Sequence, residues 1–275
     1  MISRLPDPTP ADVVDAVASG GLPPVVYYRD VESTNDVALA LASSGVPEFT
    51  AVLADVQQTG RGRLGRSWFS PAGAGLYLSV IVRPEGLDAR TPLITLAAGV
   101  AVALAIADAS DLRVELKWPN DVVIGRPWRK LAGILCEASA VGTSDAVVVV
   151  GIGVNLLPAA YPAELADRAT SIDRERGVWC DRPIARAGLV AGCIQQLREQ
   201  VRRLRADETA LVLDRWRELG RAGLDGAPVQ WTDERGPCRG IAYGLGDDGA
   251  LLVRHAGRQD RLVAGDVVWE RLSRV

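Results

Sequence analysis

The sequence predicts an α/β (α+β) fold: a larger domain with a mixed β-sheet flanked by helices, then a small C-terminal β-barrel. Three observations carry this. Strand-like and helix-like segments intermingle as far as residue 221. From Pro228 the texture changes to short strands separated by turns. A length of 275 residues, 48% of them hydrophobic, suits one large and one small unit with a substantial core.

The elements follow in order. Pro10 to Ser19 reads as a brief helix with Thr9 as its cap, and Pro24 to Tyr28 (PVVYY) as a short strand. Ser33-Thr34-Asn35 leads into DVALALASSG, whose apolar spacing and closing Gly45 fit a capped helix. Ala51 to Val56 is a strand, followed by the glycine-rich run TGRGRLGRSWFSPAGAG and a strand from Leu76 to Val82. Residues 92–107 are uncharged, alanine-rich and bounded by Arg90 and Asp108. A membrane span needs roughly 20 residues, so this run is expected to be a buried core helix. Strands are expected around Val114–Trp118, Val122–Ile124, Lys130–Glu137 and Ala146–Gly151, then helices near 183–205 and 207–221. The segments PVQWT, RGIAYGL, ALLVRH and DRLVAGDVVWERL would build the barrel.

Composition removes several classes of function. A net charge of −3 gives no global attraction to nucleic acid or to an anionic membrane. The cysteines, at 136, 180, 193 and 238, form neither a CxxC pair nor a zinc knuckle, which fits a reducing compartment. No leader of the secretory kind is recognisable. His255 is the sole histidine, so a multi-histidine metal site is excluded, and any catalytic triad would have to pass through it. The basic residues are 29 arginines and two lysines, Lys117 and Lys130; the asparagines are Asn35, Asn120 and Asn155. A drift toward arginine drains lysine from ordinary surface positions. Lysine then survives where a compact ammonium cannot be exchanged for a planar guanidinium, or by chance.

The candidate chemistry lies in short patches. Gly60-Arg-Gly-Arg-Leu-Gly65 matches GxGxxG, but SWFSP and more glycine follow it where a dinucleotide fold needs a helix. There is no GxxxxGK[ST] either. Glycines that allow close backbone approach, alternating with Arg61, Arg63 and Arg66, suit phosphates or a carboxylate; the plain alternative is a solvated surface loop. Lys117-Trp-Pro-Asn-Asp121 is either ordinary turn chemistry or a site in which Asp121 meets a hard cation such as Mg²⁺. Lys130 opens KLAGILCE either as a snorkelling edge residue or as a cation aimed into a site. In Gly151-Ile-Gly-Val-Asn155 the glycines either turn the chain or free Asn155 to read an adenine edge.

Taken together, Ser33-Thr34-Asn35, Gln57 with GRGRLGR and SWFSP, KWPND, RKLAGIL and GIGVN strongly resemble the biotin–protein ligase (biotin–acetyl-CoA-carboxylase ligase) family over roughly residues 25–160. The C-terminal segment from about 225 is similar in kind. All three asparagines and both lysines fall inside these motifs. The resemblance implies a catalytic biotin- and ATP-binding domain over 1–223, similar to class II aminoacyl-tRNA synthetase-like ligases. It implies an SH3-like barrel over 224–275. The activity would be condensation of biotin with MgATP to biotinoyl-5′-AMP, then transfer to a lysine of a biotin carboxyl carrier domain of acyl-CoA or pyruvate carboxylases.

By that resemblance Ser33, Thr34, Asn35 and Gln57 would meet the ureido ring of biotin, with Gly133 in the LAGIL wall. Arg61, Gly62 and Arg63 would close over its carboxylate and the α-phosphate. Lys130 would sit against the same atoms, and Lys130, Arg63 and Asp121 would be the catalytic set. Arg63, Arg66, Trp68, Asn120 and Asn155 would hold the nucleotide, and Asp121 the Mg²⁺. The segment Gly125-Arg-Pro-Trp-Arg129 is longer than the usual connection, a departure from the pattern. A lipoate ligase is the nearest rival. A cytoplasmic enzyme that binds neither membrane nor DNA is expected, because only 32 residues precede Ser33, too few for a winged helix-turn-helix. A mobility shift with biotin-operon DNA, biotin and ATP at moderate salt is therefore expected to stay blank; a discrete, competitor-resistant band would overturn this.

Overall fold

The structure, a computed structural model, describes residues 5–269 except 86, 141, 144, 178–183, 235 and 264–266. Its main sheet has seven strands in the order β1-β2-β3-β7-β6-β5-β4. These are β1 (Val25–Val31), β2 (Ala51–Gln57), β3 (Gly75–Val82), β4 (Glu115–Lys117), β5 (Asp121–Ile124), β6 (Arg129–Ser139) and β7 (Val147–Asn155). Only β1 and β2 run parallel; every other neighbour is antiparallel. The parallel pair is joined through helix α2 (Thr34–Ser43), as a crossover requires.

One face of the sheet carries the large core. Leu76, Leu78, Val80 and Val82 of β3, Val148, Val150, Ile152 and Val154 of β7, and Ala132 and Ile134 of β6 all enter it. Helix α3 (Ile94–Ser110) lies in that core against α5 (Arg186–Arg205) and α6 (Thr209–Leu219). By length and composition α3 could cross a bilayer, yet it is mostly buried inside the protein. Helix α1 (Ala11–Ser19) also packs on α5, while α4 (Ile172–Arg176) and α7 (Arg221–Leu224) are single turns.

The sequence expectations differ from the structure in instructive places. Thr9 does not cap α1: its hydroxyl donates to Val25 O at 3.0 Å and ties the helix approach to β1. Ser33 is the N-cap of α2 but makes no side-chain capping bond there. GIGVN does not turn the chain. It continues β7 to Asn155, because strand alternation puts Gly151 and Gly153 on the face opposite the core, where small residues are wanted. Helix α5 starts at Arg186, and position 183, where a helix was expected to begin, lies outside the described residues along with Cys180.

The C-terminal segment forms a five-stranded antiparallel sheet, order β11-β10-β9-β8-β12. Its strands are β8 (Pro228–Asp233), β9 (Gly236–Leu245), β10 (Leu251–His255), β11 (Arg258–Leu262) and β12 (Val268–Trp269). It docks on the main sheet through indoles. Trp118 Nε1 donates to Gly249 O at 3.0 Å, and Trp269 Nε1 donates to Trp118 O at 3.1 Å. Trp128, from the long β5–β6 connection, meets Trp269 edge-on at 5.9 Å. Gly249 has φ +80°, and a Cβ there would lie 2.6 Å from Leu96 and 2.7 Å from Leu93. Gly249→Ala is therefore expected to cost about 1–3 kcal/mol, through backbone strain and overpacking. Urea unfolding followed by circular dichroism measures this, and an unchanged midpoint would contradict the docking.

Candidate active site

Two cavities share a wall on the face of the main sheet away from the core. The face that β3, β7 and β6 present there alternates with the core face, so it carries Tyr77 and Ser79, then Gly151, Gly153 and Asn155, then Gly133 and Glu137. The register sets Ser79 opposite Gly151, and Gly153 opposite Gly133. These glycines make a floor without side chains. A Cβ at Gly151 would stand 2.5 Å from Asn35 Oδ1, and one at Gly153 2.4 Å from the Trp68 indole.

The smaller cavity, about 50 Å³, is lined by Ser33, Thr34, Asn35, Gln57, Arg61 and Gly133, with Leu135 and Trp68 among its apolar walls. Its polar end is a continuous chain. Gln57 Oε1 accepts from Thr34 N at 2.9 Å and from Thr34 Oγ1 at 3.0 Å, which satisfies a donor in the first turn of α2. Gln57 Nε2 donates to Ser70 Oγ at 3.0 Å. Ser79 Oγ lies 2.7 Å from Thr34 Oγ1 and 2.6 Å from Asn35 Oδ1. Asn35 Nδ2 donates to Glu137 Oε2 at 2.5 Å. Arg61 completes the chain: it grips Asp36 with two 2.7 Å bonds and reaches Glu137 at 2.9 Å. The Asp36 hydrogen bond above all, then Glu137, raises the pKa of Arg61 further above its usual range.

The larger cavity, about 240 Å³, lies beyond the 3-10 turn Arg63–Gly65 and is lined by Arg63, Arg66, Lys117, Asn120, Asp121 and Asn155 among others. Gly62, Arg63, Trp68, Asn120 and Lys130 border both cavities. Lys130 is positioned by its own backbone. Its N–H donates to Arg168 O at 2.7 Å and its carbonyl accepts from Thr170 N at 2.9 Å, where a bulge separates β5 from β6. Its ammonium lies 2.5 Å from Asp121 Oδ1 and 5.3 Å from the centre of the Trp68 ring. Lys117 Nζ is 3.9 Å from the other carboxylate oxygen of Asp121. Burial above all lowers the pKa of Lys117; the charges of Lys130, Arg168 and Arg66 add to this and Asp121 opposes it. Arg63 Nη1 donates to Asn120 Oδ1 at 3.3 Å, and Asn120 Nδ2 donates to Ile134 O at 2.8 Å. The amide nitrogen of Asn155 is taken by Thr170 O at 2.9 Å and Lys130 O at 3.4 Å, so this asparagine braces the strand that carries Lys130.

All the residues expected to line a site are thus brought together. The Trp68 indole lies on the glycine floor and walls both cavities, with its N–H buried and without a hydrogen-bond partner. Sequence reasoning left out Lys117, Asp36, Ser79 and Glu137. The rarity of lysine pointed to the first; nothing local marks the other three. Among the described residues no group of three or more His, Cys, Asp or Glu side chains could hold a metal by itself. Asp121 with Asn120 fits a Mg²⁺ that arrives on phosphates, since that ion commonly takes one or two carboxylates and completes its shell with substrate.

A polar-ended chamber meeting a cationic chamber across Arg63 and Lys130 suits an enzyme that brings a small polar-headed ligand against phosphates. Comparisons with known proteins agree. Residues 26–155 match the model of the biotin/lipoate A/B protein ligase family. The chain is 36% identical over 236 residues to the biotin–[acetyl-CoA-carboxylase] ligase of Paracoccus denitrificans, covering 83% of this chain and 93% of that one. It is 33% identical over 245 residues to the bifunctional ligase/repressor BirA of Bacillus subtilis, covering 88% and 73%. A biotin protein ligase from Aquifex aeolicus in complex with biotin and ATP superposes with a TM-score of 0.76 at 28% identity, covering 90% of this chain and 98% of that one. This chain belongs to the biotin–protein ligases of that family.

Gly153→Ala is expected to lift the Trp68 indole off the floor and to speed hydrogen exchange across residues 60–70. Unchanged exchange would mean that the indole does not rest there.

Proposed function

We propose that this protein activates biotin with ATP to biotinoyl-5′-AMP and then passes the biotinyl group to a lysine of a biotin carboxyl carrier domain. The observation that carries this reading is the shared wall, where Lys130 and Arg63 face both chambers. The smaller chamber offers donors and acceptors from Ser33, Thr34, Asn35 and Gln57 to a ureido ring, and Gly133, Leu135 and Trp68 to an apolar tail. The larger offers its cations to a triphosphate.

In the first step a biotin carboxylate oxygen attacks the α-phosphorus, and the bond from that phosphorus to the β-phosphate bridging oxygen breaks. The nucleophile is already ionised, so no histidine is needed. Positioning and electrostatic stabilisation do the work. Lys130 offsets the charge that gathers between carboxylate and α-phosphate, with Arg63 on the same wall. Asp121 holds the Lys130 ammonium in place and, with Asn120, would take the Mg²⁺ of the nucleotide, which neutralises phosphate charge. Asn155 and Arg66 border the nucleotide. In the second step the carrier amine attacks the biotinoyl carbonyl, AMP leaves, and the amine proton passes to solvent. We assign the chemistry to residues 1–223 and the small barrel to 224–275, in an enzyme of the cytoplasm.

Incubation with biotin, MgATP and a carrier domain should raise the carrier mass by one biotinyl group; an unmodified carrier would overturn the reading. Calorimetry with biotin and with lipoate separates the two ligase types. Biotin with ATP is also expected to slow exchange over residues 60–75, because closing this segment shields a reactive anhydride from water.

Lys130→Ala should reduce adenylation by roughly a hundred- to thousandfold, the effect of removing one preorganised donor worth about 2.7–4 kcal/mol. Lys130→Arg should not restore it, because a planar fork cannot take the ammonium position between two anions. Pyrophosphate release, with melting temperature as the folding control, measures both. Near-normal adenylation by Lys130→Arg would falsify the assignment.

A further inference from the structure

Lys130 faces the ligand side of the sheet only because β6 is irregular just beside it. Leu131 and Ala132 are consecutive, yet both enter the core. Strict alternation from Ala132 would turn Lys130 toward the core as well. Instead Val122 pairs with Ala132 and Val123 with Lys130, so Leu131 is the extra residue of a bulge. The lysine is thereby re-aimed across Gly133, where a Cβ would lie 3.0 Å from Lys130 Cε. Strand β7 does not hold this register, because it pairs with β6 only as far as Val154 opposite Ala132. Residues 168–170 take its place. Ala169 bridges Lys130, Lys130 N donates to Arg168 O at 2.7 Å, and Thr170 N donates to Lys130 O at 2.9 Å.

One carboxylate joins both sides of this arrangement. Glu175 accepts from the Thr170 hydroxyl, and Arg129 Nη2 lies 2.9 and 3.1 Å from its two oxygens. Arg129 precedes Lys130 in β6, and Thr170 holds the Lys130 carbonyl from the other side. Glu175 itself stands on α4, where Ile172 is fully buried and Asp173 N donates to Leu156 O at 2.9 Å. Its side chain is only 13% exposed. A buried ion pair commonly adds little net stability; its best-attested use is to fix register.

Resting on the ligase reading above, we propose that Glu175 is a positioning residue for adenylation: through Arg129 and Thr170 it locks the bulge that aims Lys130 at the shared wall. Glu175 borders neither cavity, so its effect on the reaction passes entirely through the place of one ammonium. With the carboxylate neutralised, Arg129 is released and residues 168–170 can shift against β6. The lysine then leaves its position between carboxylate and α-phosphate while both substrates still bind.

A double-variant cycle on the full chain supplies the test. In Glu175→Gln the kcat of adenylation, read as pyrophosphate release, should fall roughly ten- to hundredfold, the loss that a misplacement of about 1 Å causes. The KM for ATP and the biotin affinity by calorimetry should stay near wild type. Adding Glu175→Gln to Lys130→Ala should lower adenylation no further, because no ammonium is left to aim. A residue that merely supports the fold would lower both backgrounds by the same factor, and that result would overturn the proposal. So would an unchanged kcat in Glu175→Gln. Thr170 offers a second pair of variants: Thr170→Val should reproduce the loss and Thr170→Ser should recover it. A serine variant as impaired as the valine one would count against the clamp. Hydrogen exchange gives a readout that needs no turnover. The amides of Lys130 and Thr170 should exchange faster in Glu175→Gln, and those of Gly133 to Leu135 should not; equal rates in variant and wild type at Lys130 and Thr170 would overturn the assignment. Wild-type protein that forms no adenylate would sink the ligase reading instead, and the exchange comparison would still decide whether Glu175 holds the bulge.

Discussion

Three positions without side chains make room for the smaller cavity. Gly133, Gly151 and Gly153 lie on the face of the central β6–β7 ladder that turns away from the core, and they leave a bare strip in an otherwise covered sheet. The strip is already in use: Asn35 rests over Gly151 and the Trp68 indole over Gly153, each closer than a Cβ would allow. The start of α2 and the turn of residues 60–70 both close on the strip, and the smaller cavity is the space between them and the sheet; the larger one opens on the other side of Trp68 and Lys130. The indole N–H is buried there without a hydrogen-bond partner.

Charge is layered around that strip in two ways. On the outer side Arg61 is held by two carboxylates, Asp36 and Glu137, in a fork-to-fork geometry that suits guanidinium. This pins the beginning of the GRGRLGR turn to α2 and β6. The other end of the segment is pinned at Ser70 by Gln57, which also satisfies Thr34. One polar chain thus joins both ends of the turn beneath the smaller cavity. On the inner side the pattern inverts, with one carboxylate, Asp121, among several cations. There two ammonium groups, compact point charges, stand beside the guanidinium groups of Arg63 and Arg66.

The second sheet supports this arrangement from behind. The carbonyl of Trp118 accepts from Trp269 while its own indole donates to Gly249, so the turn that presents Asn120 and Asp121 is gripped from both sides. The long Gly125–Arg129 connection extends the same support. Trp128 packs on Trp269, and Arg126 lies 4.8 Å above the Trp128 ring while pairing with Glu115 at 2.8 Å. The segment that departs from the family pattern therefore braces the hairpin that carries Asp121 and Lys130 at its ends.

Periodicity and turn residues predicted the succession of elements along the chain and the buried character of residues 92–107, while the resemblance to a ligase family implied the residues that would line a site. These depend on local propensity, burial period and residue type, all written along the chain. What no stretch of sequence contains is partnership. Thr9 looks like a cap and is a tie to β1; GIGVN looks like a turn and is a strand; Arg61 lines the smaller cavity, and Asp36 and Glu137 hold it there. Each outcome was decided by a residue distant in sequence: Val25 for the first, the Tyr77 and Gly133 strands for the second, Glu137 for the third. Lys117 differs: its partner Asp121 lies four residues on, but that the other oxygen of Asp121 is taken by Lys130 from the neighbouring strand was not legible. Hydrogen bonds and charges act over a few ångströms of space, and only the folded sheet brings positions some 20 to 100 residues apart within that range.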